Sequence, residues 1–236
     1  MKSRGFTLLE CLIGLALSLF VVCACLEFFG AAQKHFYGLK EKEEAAQGAM
    51  AAIDKMKVDI VRAGQGLAGP AALGLIEAVS EDAGGLLILR TEDAFELAAD
   101  VREGDVRLPL ARLGALKAGR EICLSNGAKG EVLVISSVAD GAVILSSPLG
   151  ADYAKDQASL FLIEKVSLTL EARQGVLRRK VNLSTAQPLL EDVRSADFLV
   201  DRAANLVRVR FGLKGQGDAT YELCLFPKNP ALAGRT

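Results

Sequence analysis

Polarity is almost absent from the start of the chain. Between Arg4 and Lys34 the only charged residues are Glu10 and Glu27, and Cys11 to Leu26 is an uncharged apolar run. Residues 6–29 would form about 36 Å of helix, enough to cross the roughly 30 Å of hydrocarbon in a bilayer. The first proline is Pro70, and the helical pattern continues beyond Phe29. Ala46, Ala49, Ile53, Met56, Ile60 and Ala63 recur at alternating spacings of three and four, which predicts one apolar stripe on a helix face. The charges between Lys40 and Glu44, then Asp54, Lys55, Lys57 and Asp59, are expected to cover the other faces. A continuous helix from Phe6 to about Ala63 would be about 87 Å long. Its first half is apolar all round, and its second half is amphipathic and suited to packing on a folded domain.

From about residue 84 the pattern changes to short β-like runs. Strands are expected at Leu86–Leu89, Glu131–Val138, Ala142–Leu145, Leu160–Leu170, Val176–Val181, Leu206–Phe211 and Tyr221–Phe226. Asp140-Gly141 is a hairpin signal, because both residue types tolerate positive φ, and Gln174-Gly175 reads the same way. Pro188–Ser195 is expected to be a short helix with proline at its start. The fold class is therefore α+β, a long N-terminal helix packed on an antiparallel β-sheet domain. Four segments follow: residues 1–5 as a leader, 6–29 as a membrane or filament-core helix, 30–64 as the amphipathic half, and 65–236 as the β-rich domain.

Composition narrows the function classes. The formal net charge is −1, and −3 once Lys2 and Arg4 are set aside, which is not the footprint of a dedicated nucleic-acid binder. There is no tryptophan, and His35 is the only histidine, so neither a histidine zinc cluster nor a histidine-dependent triad has its parts. No metal, cofactor or enzymatic activity is expected. Cys11, Cys23 and Cys25 lie in the apolar run. Cys123 and Cys224 sit in the near-identical tetrapeptides Glu121-Ile122-Cys123-Leu124 and Glu222-Leu223-Cys224-Leu225. With Cα atoms within about 7 Å, an oxidising exterior would permit a disulfide between them. Closing that loop would contribute about 4–5 kcal/mol in the chain-entropy treatment. Two buried free thiols stand equally open.

The apolar start admits three readings: a cleaved secretory signal ending near Gly30-Ala31-Ala32, a lipidation signal at Val22-Cys23-Ala24-Cys25, or a permanent membrane helix. Glu10 favours the third, since a carboxylate in an apolar helix costs a few kcal/mol and a disposable signal has no use for one. Arg4-Gly5-Phe6-Thr7-Leu8-Leu9-Glu10 resembles the processing motif of type IV prepilins and type II secretion pseudopilins. That resemblance implies cleavage behind Gly5 by prepilin peptidase, N-methylation of Phe6, and an assembly role for Glu10. Its carboxylate would meet the Phe6 amine of a neighbouring subunit and so set axial register, a use suited to a buried pair. Lys2 and Arg4 put the leader in the cytoplasm, with the remainder beyond the inner membrane. The partners implied are other pilin or pseudopilin subunits, the peptidase and the inner-membrane assembly platform. Many major pilins have a helix-kinking proline in the first half; this chain has none, which leaves a kink without its usual cause.

Two further motifs resemble PilW-like minor pilins and J-type pseudopilins, and a third, with lysine where arginine is usual, resembles the ending of PilW-like chains. They are Asp59-Ile60-Val61-Arg62-Ala63-Gly64, then Gly175-Val176-Leu177-Arg178-Arg179 followed by Pro188-Leu189-Leu190-Glu191-Asp192-Val193, and Pro227-Lys228-Asn229 near the end. The resemblance implies a minor subunit that initiates or caps a filament, and the rival class is a surface adhesin that uses pilin export. Other features read more plainly. Gly64-Gln65-Gly66-Leu67-Ala68-Gly69 spells GxGxxG, but it follows a helix and runs into Pro70, so it is expected to be a helix stop and loop. The acidic residues Glu92, Asp93, Glu96, Asp100, Glu103 and Asp105 lack calcium-loop spacing and are expected to form a solvated face. Nine basic and four acidic residues between Arg173 and Lys214 are expected on half-solvated strands, without nucleic-acid binding.

Overall fold

The computed structural model describes residues 7–82, 84–215, 217 and 219–229. Two units divide the chain, one ending at Gly48 and one beginning at Ala49. Helix α1 (Leu8–Val61) supplies all the regular structure of the first unit, and its last turns belong to the second. In the first unit every side chain from Thr7 to Tyr37 is exposed. The apolar stretch is long enough to cross a membrane, and none of the described residues buries it.

In the second unit Ala49, Met56, Ile60 and Ala63 are buried, as the stripe predicts, while Ile53 is only half-buried and Ala52, outside the stripe, is buried. The face is rotated slightly from the expected one, and this brings Asp59 inside. Asp59 is 1% exposed and does not belong to the solvated side. The helix ends where Gly64 takes φ +70°, a conformation glycine adopts without strain. The Gly64 N–H donates to Leu89 O at 2.8 Å, which ties the helix end to a strand. The GxGxxG run is a helix stop and turn as far as Leu67, as expected, and its last two residues, Ala68 and Gly69, open the short helix α2 (Ala68–Ala72).

Twelve antiparallel strands follow among the described residues: β1 (Val79–Asp82), β2 (Gly85–Glu96), β3 (Arg107–Pro109), β4 (Glu121–Ser125), β5 (Gly130–Ala139), β6 (Ala142–Leu145), β7 (Ser159–Glu171), β8 (Val176–Val181), β9 (Gln187–Leu190), β10 (Val193–Asp201), β11 (Leu206–Leu213) and β12 (Thr220–Leu225). All seven expected strands are present, and the whole is the expected α+β arrangement. The β5–β6 hairpin turns at Asp140 (φ +50°) and Gly141 (φ +71°), the pair of positive values that the Asp-Gly signal requires.

The strands β2 and β7 are long and serve two sheets. Their register shifts between Thr91 and Asp93, leaving Glu92 as the extra residue of a bulge. Before the bulge, Leu86–Thr91 pairs with Ile163–Leu168 in a sheet ordered β1-β2-β7-β8-β9. After it, Asp93–Glu96 pairs with Ser159–Leu162, and the path continues through β4, β5, β6 and β3. That path closes. Leu97 bridges Leu110, Ala98 N–H donates to Pro109 O at 2.9 Å, and Ala111 N–H donates to Glu96 O at 3.1 Å. The result is a six-stranded antiparallel barrel filled by Phe95, Leu108, Ile122, Leu124, Ile135 and Leu160. Closure removes the exposed sheet edges that these strands would otherwise present.

The third sheet is β10-β11-β12. The main departure from expectation lies where the chain passes from β9 into β10. Pro188–Ser195 is not a helix: it comprises most of β9, a bend and the start of β10. Asp192 takes φ +55°, which no continuing helix allows, and Leu190 and Val193 are buried by pairing with Leu177 and Leu213. Pro188 is tolerated because β9 is an edge strand.

Phe95 is 2% exposed in the barrel, with the Arg112 guanidinium 4.8 Å from its ring centre. Phe95→Ala should therefore destabilise the detergent-solubilised chain by about 3–5 kcal/mol in urea unfolding. Leu183→Ala, at an exposed position, should change stability by less than about 0.5 kcal/mol.

Candidate functional site: the N-terminal helix and its anchor in the β-rich unit

Gly5 and Phe6 lie outside the described residues. Thr7 and Glu10 do not, and they form a capping box. Thr7 N–H and Thr7 Oγ1 each donate to Glu10 Oε2 at 2.9 Å, and Glu10 N–H donates to Thr7 Oγ1 at 3.3 Å. The first turn of a helix has backbone donors without intrahelical partners, and this reciprocal pair satisfies two of them. The acid in the apolar helix thus has a local role that the sequence reading missed. The Thr-x-x-Glu spacing was its signal. Ser18, within the apolar stretch, satisfies its own hydroxyl by donating from Oγ to Gly14 O at 2.7 Å.

At the other end of α1 lies the most deeply buried charge. Asp59 accepts two hydrogen bonds from Arg179 of β8, Nε to Oδ2 at 2.6 Å and Nη2 to Oδ1 at 2.9 Å. Arg90 of β2 places Nη1 3.5 Å from Oδ1, and its Nε is paired with Glu164 of β7. Arg90 and Glu164 are direct cross-strand partners. The cluster is neutral, with two arginines and two carboxylates, which is the condition for burying charge. A carboxylate in the last turns of a helix opposes the helix dipole, so Asp59 is placed for its partners on the sheet and not for the helix.

A second tie joins α1 to the end of the described chain. The Asn229 side chain donates from Nδ2 to Ala63 O at 2.9 Å, capping a carbonyl that the helix terminus leaves free. Pro227 O in turn accepts from Asn205 Nδ2 at 2.7 Å. The second and third short motifs therefore meet the first at the helix end, through Arg179 on Asp59 and Asn229 on Ala63, across 120 and 166 residues of sequence.

The two cysteines of the outer region are both free. Cys123 is buried on β4, while Cys224 is exposed on β12 in a different sheet. Neither the disulfide nor the pair of buried thiols is what the structure contains. The matching tetrapeptides reflect similar strand patterning, and the topology sends them to separate sheets. Burial pushes the Cys123 thiol up to about 11.

The charged runs are largely occupied by one another. Glu92 pairs with Arg120, and Asp93 pairs with Arg112 at 2.7 Å, whose hydrogen bond holds the Asp93 carboxyl below its ordinary range. Asp100 accepts from Lys155 N–H at 2.9 Å and Asp105 from Arg102 N–H at 2.8 Å. On the basic side, Arg178 pairs with Glu171, Arg202 with Glu77, and Arg208 and Arg210 with Glu222. Among the described residues no group of acids, cysteines or histidine converges as a metal site. A cleft of about 160 Å³ lies between Glu77–Val79 and the β10–β11 turn, below the roughly 300–1,000 Å³ of ordinary ligand pockets.

Asp59→Ala should destabilise the chain by about 3 kcal/mol, because it leaves the half-buried Arg179 without the carboxylate that holds it. A double-mutant cycle with Arg179→Met should return a coupling of about 1–3 kcal/mol in chemical denaturation. For the thiols, maleimide at pH 8 should label Cys224 in the folded chain and Cys123 only after unfolding, as mass spectrometry of peptides would read.

No protein-family model matches the chain, and neither does any curated protein. Solved structures give partial likenesses. One is the Gp54 tailspike of Acinetobacter baumannii bacteriophage AP22, determined in complex with capsular saccharide: 14% identity over 33% of this chain and 15% of that one, TM-score 0.29. The tailspike gp61 of Pseudomonas phage phi297 is 19% identical over 31% of this chain and 14% of its own, TM-score 0.28. The tailspike gp49 of Pseudomonas phage LKA1 is 18% identical over 30% and 14%, TM-score 0.26. The likeness takes in only about a seventh of each tailspike, and at these TM-scores it does not make a shared fold.

Proposed function

We propose that the chain is a minor pilin or pseudopilin subunit, cleaved behind Gly5 by prepilin peptidase, which initiates or caps a type IV pilus or type II secretion pseudopilus. The observation that carries this reading is the meeting of the three motifs at the end of α1. The first two were singled out for their resemblance to PilW-like minor pilins and J-type pseudopilins and the third for its resemblance to PilW-like chains, and a side chain of the second and one of the third each bond to the first. Chance similarity of short motifs gives no reason for that: Asp59 holds Arg179, and Asn229 holds the carbonyl of Ala63.

The exposed apolar helix supports the same reading. From Leu8 to Phe29 none of the described residues covers it, so it is suited to a membrane before assembly and to neighbouring helices afterwards. In this role Phe6 is the methylated N-terminus and Glu10 the register acid. The partners are other pilin or pseudopilin subunits and the inner-membrane assembly platform. The β-rich unit lies outside the cytoplasm, where the exposed Cys224 meets an oxidising medium.

Intact mass and N-terminal sequencing of membrane-extracted protein test the claim directly. The mature chain should begin at methylated Phe6 when prepilin peptidase is present and retain residues 1–5 when it is absent. The Glu10→Ala form should be cleaved normally yet fall at least tenfold in filament incorporation. A chain beginning near Ala31, or lipidated at Cys25, would overturn the assignment.

A further inference from the structure

Along the exposed part of α1, aromatic side chains occur in two tiers, and each tier lies at a depth with a physical meaning. Phe28 and Phe29 are 76% and 65% exposed; Phe36 and Tyr37 are 63% and 59% exposed and contact each other edge to face, centroids 6.2 Å apart. Lys34 and His35 sit between the tiers. Twenty residues of helix span about 30 Å, so counting from Leu8 the hydrocarbon ends near Glu27 and Phe28. The headgroup layer adds roughly 5–8 Å, which reaches about Gln33. Helical side chains lean toward the N-terminus, so the rings of Phe36 and Tyr37 reach back over Gln33 and Lys34. Beyond them, Lys40 to Glu44 carries mixed charge on every side, with Lys40 and Glu44 paired at 3.7 Å.

We infer that Phe28, Phe29, Phe36 and Tyr37, with Lys34 between them, form a two-tier collar that seats α1 in the phospholipid headgroup layer on the side of the β-rich unit. The inference rests on the membrane-spanning reading of α1. The lower tier marks the edge of the hydrocarbon and the upper tier the edge of the water. Rings favour this zone because they are apolar in body yet tolerate a polar surround, and a lysine between them extends its ammonium outward to lipid phosphates. The collar fixes how deep the helix sits before a subunit leaves the membrane.

The absence of tryptophan makes the test clean, since one introduced tryptophan is the only such fluorophore. Full-length Phe20→Trp, Phe36→Trp and Tyr37→Trp chains are reconstituted separately in phosphatidylcholine–phosphatidylglycerol vesicles containing lipids brominated either near the headgroup or near the chain end. The expected result is that Phe20→Trp is quenched more by the deep bromines. Phe36→Trp and Tyr37→Trp should be quenched at least twofold more by the shallow ones, with emission blue-shifted from that of the urea-unfolded chain. If both outer probes emit as in water and resist either lipid while Phe20→Trp is quenched, the collar is wrong and the span stands. Outer probes quenched as deeply as Phe20→Trp would also overturn it, by moving the boundary outward. An unquenched Phe20→Trp would remove the membrane span itself, and the collar with it.

Discussion

The bidentate pair between Asp59 and Arg179 is the constraint on which the second unit depends. The rest of the buried helix face is Ala49, Ala52, Met56, Ile60 and Ala63. Alanines are interchangeable under a slip, and methionine adapts to irregular surroundings, so apolar packing alone sets the register of this face weakly. The charge cluster does not allow such freedom. A shift of one turn moves Asp59 by about 5.4 Å, and a shift of one residue turns it by about 100°, and either leaves a buried charge unpaired. Its contribution is therefore one of uniqueness more than of net stability. A comparably sized apolar substitute would hold the helix without specifying where.

The same logic recurs where the sheet becomes the barrel. Strands β2 and β7 run through both, and the change happens at the bulge at Glu92. Arg120, almost fully buried, pairs with Glu92 there and donates to Ile163 O at 2.9 Å. A bulge leaves one residue without a ladder partner, and here that residue's side chain is used to hold the arginine. Ionic pairs thus sit at both places where one part of the unit must be fixed against another, and the interiors between them are apolar. The barrel is in effect an insertion carried on two extended strands, closed on itself and filled with its own side chains.

How much of this was legible in the sequence depended on whether the information was local. The long helix, the hairpin at Asp140-Gly141 and the seven strands rest on periodicity and on turn residues, and those effects act within a few positions. Asp59 was misread because a 3.6 period identifies a face only to within about one residue on either side, and its partners lie on strands far along the chain. Barrel closure was illegible for the same reason: it depends on Leu97 meeting Leu110 after a loop, and nothing near either residue announces it. At Pro188–Ser195 a local signal was present and pointed the wrong way, since proline followed by leucines suits a helix start. Pairing with Leu177 and Leu213 overrode it. The cysteine tetrapeptides show the converse, since their likeness in sequence reflects strand patterning and carries no information about nearness in space.

Glu10 illustrates how a local and a long-range role can share one side chain. Both hydrogen bonds from Thr7 go to Oε2, and among the described residues none goes to Oε1. An ionised carboxylate has about four acceptor positions, so the capping box leaves room for another donor. Within the proposed function, the amine of a neighbouring Phe6 would find the carboxylate already oriented by Thr7, at no cost to the first helical turn. Removing the Thr7 hydroxyl alone would then be a sharper probe than removing the acid. It would free Glu10 to rotate while leaving its charge, and so separate the geometry of the register pair from its electrostatics.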